Sequence, residues 1–527
     1  MKRQLPIVSV ASTASTGKRV ARVAATASAL GLGALAAWDY TQKKHAVLRN
    51  YPVIGHARFL LESIRPEIQQ YFIERNWDGR PFNRETRTTI YERSKGIHSE
   101  QAFGTERDVE RRDYESLLHS AVPLSNPRVP PKVRVGGEKC TKPYDISLLN
   151  VSAMSFGSLS DNAIRALNKG AAMGGFAHDS GEGAITPYHR EFGGDLIWEL
   201  GTAYFGARTE DGHFDAEAFA EKSQDPQVKM TSLKLSQGAK PGIGGVLPGP
   251  KVSEEISQIR GIPVGKTCIS PPNHSVFSTP IELMQFIGRM RELSGGKPAG
   301  YKLCIGSRTE FLAMCKAMLE TGITPDFIIV DGSEGGTGAA PLEFEDNVGL
   351  PLTQGLMTVH NALVGTGLRD RIRIGAAGKI ASGSDIVKRL IQGADYTNSA
   401  RAMMMAVGCI QAMTCHTGKC PVGVATQDPR RTRAIDVTDK AQRVKNYQES
   451  TVAEAVRIMA AMGVSSPDEL EPTMLRRNIS PSESWSYAKL YDWLEPGELL
   501  DGAPGDWAAD WKAARPDTFH LRRGQSR

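Results

Sequence analysis

Residues 408–427 read GCIQAMTCHTGKCPVGVATQ and carry thiols at Cys409, Cys415 and Cys420, with five and then four residues between them. Iron–sulfur clusters are held by Cys thiolates, ordinarily four for a cubane, so three with no neighbouring fourth suit a 3Fe-4S cluster. His416 beside the second thiol admits zinc in principle, although structural zinc sites usually show paired C-x2-4-C spacings that this stretch lacks. Three buried structural cysteines are a third reading, and spacing alone leaves it open. Only seven Cys occur in 527 residues, three of them within twelve positions, so a distributed disulfide framework is not expected and a reducing compartment is.

Such residues need elements to position them. Composition is globular, 40% hydrophobic and 23% charged, and long enough for a sizeable core. From Ser147 onward, short β-rich runs alternate with helical ones. The strand candidates are 151–157, 176–181, 231–237, 267–270, 299–306, 326–332, 372–378 and 395–400, with helices at 282–293, 308–322 and 382–393. About eight β/α units in roughly 270 residues predict an α/β protein built as a (β/α)8 barrel. No G-x-G-x-x-G follows a strand, so a bound pyridine nucleotide is not predicted. Barrel chemistry sits at the C-terminal strand ends, and phosphates favour the loops after strands seven and eight. Those loops read AAGKIASGSD (376–385) and TNSARAMMMAVG (397–408). Gly378, Lys379, Ser399, Ala400 and Arg401 are therefore a candidate monophosphate pocket, with ordinary β/α turn chemistry as the alternative.

The net charge of +6 is concentrated at one end: residues 1–50 carry +7 and the other 477 carry −1. A basic nucleic-acid face on the folded body is thus not expected. Within the basic segment, residues 23–38 (VAATASALGLGALAAW) are uncharged and Arg22 can snorkel, which extends the run to about Val20. A membrane anchor over 20–38 is the favoured reading, and a cleaved targeting segment or an Ala-rich leader the alternatives. Basic residues on both sides leave its orientation ambiguous. The expected organisation is a leader (1–45), an N-terminal helical region (46–146), the barrel with its cysteine loop (147–430) and a C-terminal helical segment and tail (431–527). His56 and His98 are expected to be surface or packing residues. The Trp-rich stretch 485–519 is expected to pack on the barrel as an ordered tail.

Between Met154 and Gln427 the chain closely resembles the FMN-binding synthase domain of bacterial glutamate synthase. The matching stretches, in the family's order, are MSFGSLS (154–160), SGEG (180–183), QGAKPG (237–242), LPGPKV (247–252), ISPPNHSVFS (269–278), DGSEGGTGAAP (331–341) and the cysteine motif itself. The resemblance implies a barrel with FMN at its mouth and a 3Fe-4S cluster on Cys409, Cys415 and Cys420. It implies reduction of 2-iminoglutarate, formed from 2-oxoglutarate and ammonia, to glutamate, with electrons passed singly from cluster to flavin.

Residue by residue, the resemblance places Lys302 at the flavin N1/O2 edge, where a cation stabilises the charge of the reduced ring. It places Met154 and Ser155 near N5, Gln237 on the polar edge, and Asp331, Gly332, Gly335, Gly336 and Gly338 in the sixth β/α loop against the ribityl chain or ring. Lys240 and Arg260 match positions that engage the keto acid, and Glu182 matches the imine region. Where the family reads KPGEGGQLPG this chain reads KPGIGGVLPG, so Ile243 and Val246 replace a Glu and a Gln and put the keto acid in question. With no Cys before Cys140, glutamine hydrolysis is not expected. Ammonia or a small amine such as methylamine comes from solution or a separate amidotransferase, and electrons from ferredoxin or a reductase subunit. The expected location is a cytoplasmic catalytic domain with the anchor at the cell membrane. Two other readings are a flavin-dependent oxidase or dehydrogenase of another hydroxy or amino acid, and a membrane-tethered electron-transfer subunit.

Overall fold

The structure is a computed structural model that describes residues 13–97, 100–125 and 129–520. His98 and the first twelve residues of the leader lie outside the described residues. The chain divides into two compact units, residues 1–84 and 85–527.

In the larger unit, eight parallel strands close into a barrel: β1 (Leu149–Val151), β2 (His178–Asp179), β3 (Leu196–Leu200), β4 (Val228–Lys234), β5 (Ala299–Leu303), β6 (Phe327–Asp331), β7 (Arg373–Ala377) and β8 (Tyr396–Ser399). The strands run in sequence order and β8 pairs back on β1, Ser399 opposite Val151. One expected strand is corrected. TCIS (267–270) lies outside the barrel, where Cys268–Ile269 pairs antiparallel with Val246–Leu247. The strand missed is β3, LIWEL, fully buried along its length. It follows GGD and contains Glu199, and a charge inside a short apolar run is a weak strand signal without its neighbours.

Residues two apart share a face, which fixes what the barrel encloses. Ile197, Met230, Phe327, Ile329 and Tyr396 pack in one cluster with Val135 and Ile146. The last two come from an antiparallel hairpin, Lys132–Val135 with Tyr144–Ser147, which closes the N-terminal end of the barrel. Gly137 N–H donates to Asp326 Oδ1 at 2.7 Å just ahead of β6 and ties the hairpin there. An apolar plug at one end leaves the buried charges for the other. Fully burying each such large side chain contributes about 1.5–3 kcal/mol.

Helix boundaries follow local chemistry. Ser160 caps Asp161–Gly174 through the Ala163 N–H, and Gly175 ends it in the left-handed conformation. Reciprocal boxes open Pro280–Leu293 (Thr279 with Glu282) and Gly383–Ile391 (Ser382 with Asp385). The long helix Val437–Ala461 lies against Asp161–Gly174. A Cβ at Gly170 would stand 2.8 Å from Ala441 O and Val444, so glycine permits that close approach. The Trp-rich tail docks on Arg308–Thr321: Arg308 lies 4.5 Å over the Trp507 ring and pairs with Asp510, and Lys316 lies 4.5 Å over Trp511.

Two stretches expected to be helical contain strands. The helices of the N-terminal region end at Ser94, and beyond them come Glu115–Leu117 and the plug hairpin. Beyond Ala461, Leu475–Ser480 and Glu483–Ser486 form a hairpin that also pairs with Glu115–Leu117.

The smaller unit holds helices Thr13–Thr41, Ala46–Asn50 and His56–Ile68, with a π-helical turn at Gln69–Ile73. Pro66 lies inside the third helix without ending it. Arg19–Thr41 is long and apolar enough, by length and composition, to cross a membrane. His56 is a packing residue, its Nε2 2.9 Å from Asp39.

Candidate active site

Four of the charged side chains at the barrel mouth come from adjacent strands. Lys234 ends β4 and Lys302 stands opposite it on β5, so parallel register sets the two ammonium groups side by side. Both are buried, and each has a carboxylate. Lys302 pairs with Glu199 on β3. Lys234 pairs with Glu182 at 2.8 Å and donates to Gln237 Oε1 at 2.7 Å. Burial alone would discharge Lys302, but Glu199, Asp179 and Asp331 hold its pKa above the usual lysine range. The Asp179 pKa is also raised, by burial and the Glu199 charge. Burial also raises Asp331, against Lys302; its Oδ2 accepts the Gly238 N–H at 2.9 Å.

Around this floor lie the residues named by resemblance. Glu182 is held down to about 2: burial opposes ionisation, and Lys234, Lys240 and Lys302 overcome it. Lys240 is 3% exposed, and burial with the Lys234 charge brings its pKa down to about 8. Arg260 is also buried. It donates to Phe156 O at 2.7 Å and Ser155 Oγ at 3.3 Å, and its guanidinium lies 5.2 Å from the Phe205 ring centroid. Met154 and Ser155 follow β1 and are buried. Gln237 spans the mouth, receiving from Lys234 and donating to Gly336 O at 3.5 Å.

The sixth loop is packed as tightly as its glycines suggest. A Cβ at Gly238 would fall 1.6 Å from Gly332 O, and one at Gly335 would fall 2.8 Å from Asp331 Oδ1. A Cβ at Gly336 would meet Arg401 at 2.9 Å, whereas at Gly306 and Gly338 it would meet nothing within 4 Å, so space opens above the loops of β5 and β6. In the candidate phosphate region, Gly378 and Lys379 both have positive φ, 147° and 50°. Ser399 Oγ donates to Ile380 O at 2.7 Å, so its hydroxyl is engaged by the neighbouring loop. Ala400 opens helix Arg401–Val407 without a side-chain cap, and Arg401 donates to Glu334 O.

The cysteine loop is tied to the loop after β1. Gln427 Nε2 donates to Leu159 O at 2.8 Å, and Ser160 N–H donates to Val424 O at 2.9 Å. Among the described residues no three His, Cys, Asp or Glu side chains are gathered as single-ion ligands. The three thiols do lie within electrostatic reach of one another: burial raises Cys409 to about 12, with Cys415 and Cys420 adding to it. Between this loop and the mouth lies Lys251, 2% exposed, which donates to Ser158 O at 2.9 Å. Burial lowers its pKa, and the groups that oppose this are Cys415 and Cys420. Ser158 Oγ is 3.0 Å from Ser155 Oγ, so a short polar path joins Arg260, Ser155, Ser158 and Lys251.

The model of the conserved region in glutamate synthase matches residues 103–465, more than half of the chain. The chain belongs to the glutamate synthase family. It is 38% identical over 477 residues to the glutamate synthase large subunit-like protein YerD of Bacillus subtilis, covering 82% of this chain and 90% of that one. It is 35% identical over 321 residues to the archaeal-type glutamate synthase [NADPH] of Thermotoga neapolitana, and spans 60% of each chain. Against the glutamate synthase [NADPH] large chain of Bacillus subtilis, 32% identity over 355 residues covers 66% of this chain and 22% of that protein. Among solved structures, a mutant flavocytochrome b2 with pyruvate bound aligns over 80% of this chain and 88% of its own at a TM-score of 0.42 and 12% identity.

As a glutamate synthase family member the chain is an oxidoreductase. Two departures noted in its sequence have places in the fold. Val246 stands opposite Ile269 in the small hairpin, and Ile243 precedes Gly244 and Gly245, whose backbone abuts Ser270 O and Glu182. Sequence reasoning missed Asp179, Glu199, Lys234 and Lys251. The available signal was weak: a charged residue inside an otherwise apolar strand, or, for Lys251, a lysine in a Pro- and Gly-rich turn that gives no hint of burial.

Proposed function

We propose that this chain is an FMN- and 3Fe-4S-dependent oxidoreductase that reduces the imine of a 2-oxo acid with ammonia or a small amine, 2-oxoglutarate being the first candidate. The observation that carries the reading is Lys302, a buried ammonium at the barrel mouth kept charged by Glu199, Asp179 and Asp331. Bound FMN would supply the hydride for the imine carbon. Lys302 would then neutralise charge on the reduced ring, with Gln237, Met154 and Ser155 beside it. The tight loop of Gly332, Gly335 and Gly336 beside open space at Gly338 suits a flat ring and its ribityl chain. Backbone amides of Gly378, Lys379, Ala400 and Arg401 would hold the phosphate.

Lys240 and Arg260 bind carboxylate in this reading, and Glu182, ionised beside Lys234, faces the cationic imine. Cys409, Cys415 and Cys420 would hold the cluster. What supports this is that the three thiols lie within electrostatic reach of one another. Electrons would come from ferredoxin or a reductase, and ammonia from solution or an amidotransferase. The segment Arg19–Thr41 would anchor the chain in a membrane.

The test is to purify the full chain anaerobically and record its visible spectrum, iron content and EPR signal. Flavin absorbance with a three-iron signal is the expected result, and a colourless protein overturns the reading. The apolar replacements Ile243 and Val246 favour a second reading, oxidation of a hydroxy or amino acid, which a panel of such acids assayed beside 2-oxoglutarate plus ammonium would separate.

A further inference from the structure

The smaller unit leaves a long apolar helix face uncovered. Ala57, Leu60, Leu61, Ile64, Ile68 and Tyr71 recur at helical spacing, and Phe72 continues their stripe into the π-helical turn. None of the residues in His56–Ile68 is buried. Leu60 is 62% exposed and Phe72 84%. A stripe of this width normally faces a core or another apolar medium. Arg58 and Arg65, seven residues apart, edge it on one side. Between residues 43 and 68 five Lys/Arg face two carboxylates, Glu62 and Glu67.

The position of this helix is fixed by its neighbour. Asp39, fully buried near the end of Thr13–Thr41, accepts the Val53 N–H at 2.8 Å and meets His56 Nε2 at 2.9 Å. The amphipathic helix therefore starts beside the last turn of the apolar one. Exposed Trp38, Tyr40 and Tyr51 cluster in sequence at the same level, the pattern of an interfacial aromatic belt, and Lys43 and Lys44 follow.

We propose that residues 56–73 form an interfacial helix lying on an anionic lipid surface. Leu60, Leu61, Ile64, Tyr71 and Phe72 enter the acyl boundary while Arg58 and Arg65 meet lipid phosphates. The inference rests on Arg19–Thr41 being a membrane anchor and adds a second, lipid-specific contact to it. Apolar area and positive charge act together here, so binding is stronger to anionic than to neutral lipid.

The test uses the full chain in vesicles of phosphatidylcholine with or without phosphatidylglycerol, carrying acyl-brominated lipid as a tryptophan quencher. Ile64→Trp adds a reporter to the apolar face and Glu62→Trp adds one to the polar face. With phosphatidylglycerol present, the emission added by Ile64→Trp is expected to fall by about half, and that added by Glu62→Trp to stay unchanged. Flotation after alkaline carbonate reports the anchor separately. A chain that floats while Ile64→Trp stays unquenched overturns the interfacial helix and leaves the anchor intact. A chain that fails to float and stays unquenched overturns both. Hydrogen exchange of residues 57–73 gives a second readout free of substitutions: protection that requires lipid supports the inference, and protection by self-association without lipid overturns it.

Discussion

Two buried lysines, Lys302 on β5 and Lys251 beside the loop after β1, are neutralised differently. Lys302, 5% exposed, has an ion-pair partner in Glu199 and two further carboxylates in Asp179 and Asp331. Lys251, 2% exposed, has a carbonyl ligand from Ser158, and the groups that favour its charge are two thiols. Taking a charge out of water costs several kcal/mol unless partners are built around it. The barrel has built them for Lys302 before any ligand arrives. For Lys251 compensation is complete only when Cys415 and Cys420 are thiolates, the form in which cysteine binds iron. Lys302 is compensated by carboxylates already in place, whereas Lys251 has thiols beside it.

This contrast can be broken most sharply at Lys302. Lys302→Met strands the buried Glu199 carboxylate and is expected to cost about 3–5 kcal/mol in urea unfolding. Adding Glu199→Leu should recover much of that stability while leaving flavin retention impaired. Equal loss in the double variant would show that the carboxylate was not the source of the cost.

Next in size is the pair at the mouth's edge. Glu182 ionises with a pKa of about 2 against a reference of 4.5, so its contribution is fully present above pH 4.5 and is lost as pH falls toward 2. That is worth about 3 kcal/mol, and Glu182→Gln should flatten this part of the acid unfolding profile. An identical acid profile in the variant would remove Glu182 from the ledger.

Lys240 predicts a smaller effect in the opposite pH direction. Its pKa near 8 means that the ammonium is lost as pH rises through that value. KM for an anionic substrate should rise about tenfold per unit above pH 8. Lys240→Arg should carry the flat region to higher pH. A KM constant to pH 10 in the parent would contradict a carboxylate contact at Lys240.

The smallest effect on stability is expected at Lys251. In iron-free protein Lys251→Met removes an ammonium that donates to the Ser158 carbonyl, so stability should change by less than about 1 kcal/mol. Iron retained after gel filtration should fall clearly. A large stability loss in the iron-free variant would erase the difference between the two lysines.

Much of the candidate site is legible in the sequence because its residues come in short runs set by backbone demands. DGSEGGTG is glycine-rich where Asp331, Gly332 and Gly238 crowd together, and SGEG carries the carboxylate that pairs with Lys234. The barrel is legible from β/α alternation, although TCIS carries a strand signal outside the barrel and the third barrel strand a weak one. Cys268–Ile269 has strand propensity yet pairs with only two residues, whereas LIWEL is a barrel strand because Ile197 and Trp198 find partners on β4. What stayed hidden is compensation between distant residues. Nothing local to Glu199, Asp179 or Lys251 announces burial, since its cost is offset by side chains on other strands and loops.

The central claim is that Lys302 and its carboxylates form the floor of a flavin site where the imine of a 2-oxo acid is reduced. The most direct measurement is anaerobic mixing of the dithionite-reduced full chain with 2-oxoglutarate plus ammonium, following flavin absorbance and assaying glutamate. The account predicts reoxidation with stoichiometric glutamate in the parent and none in Lys240→Gln. A flavin-loaded parent that stays reduced with every 2-oxo acid and amine offered would contradict it.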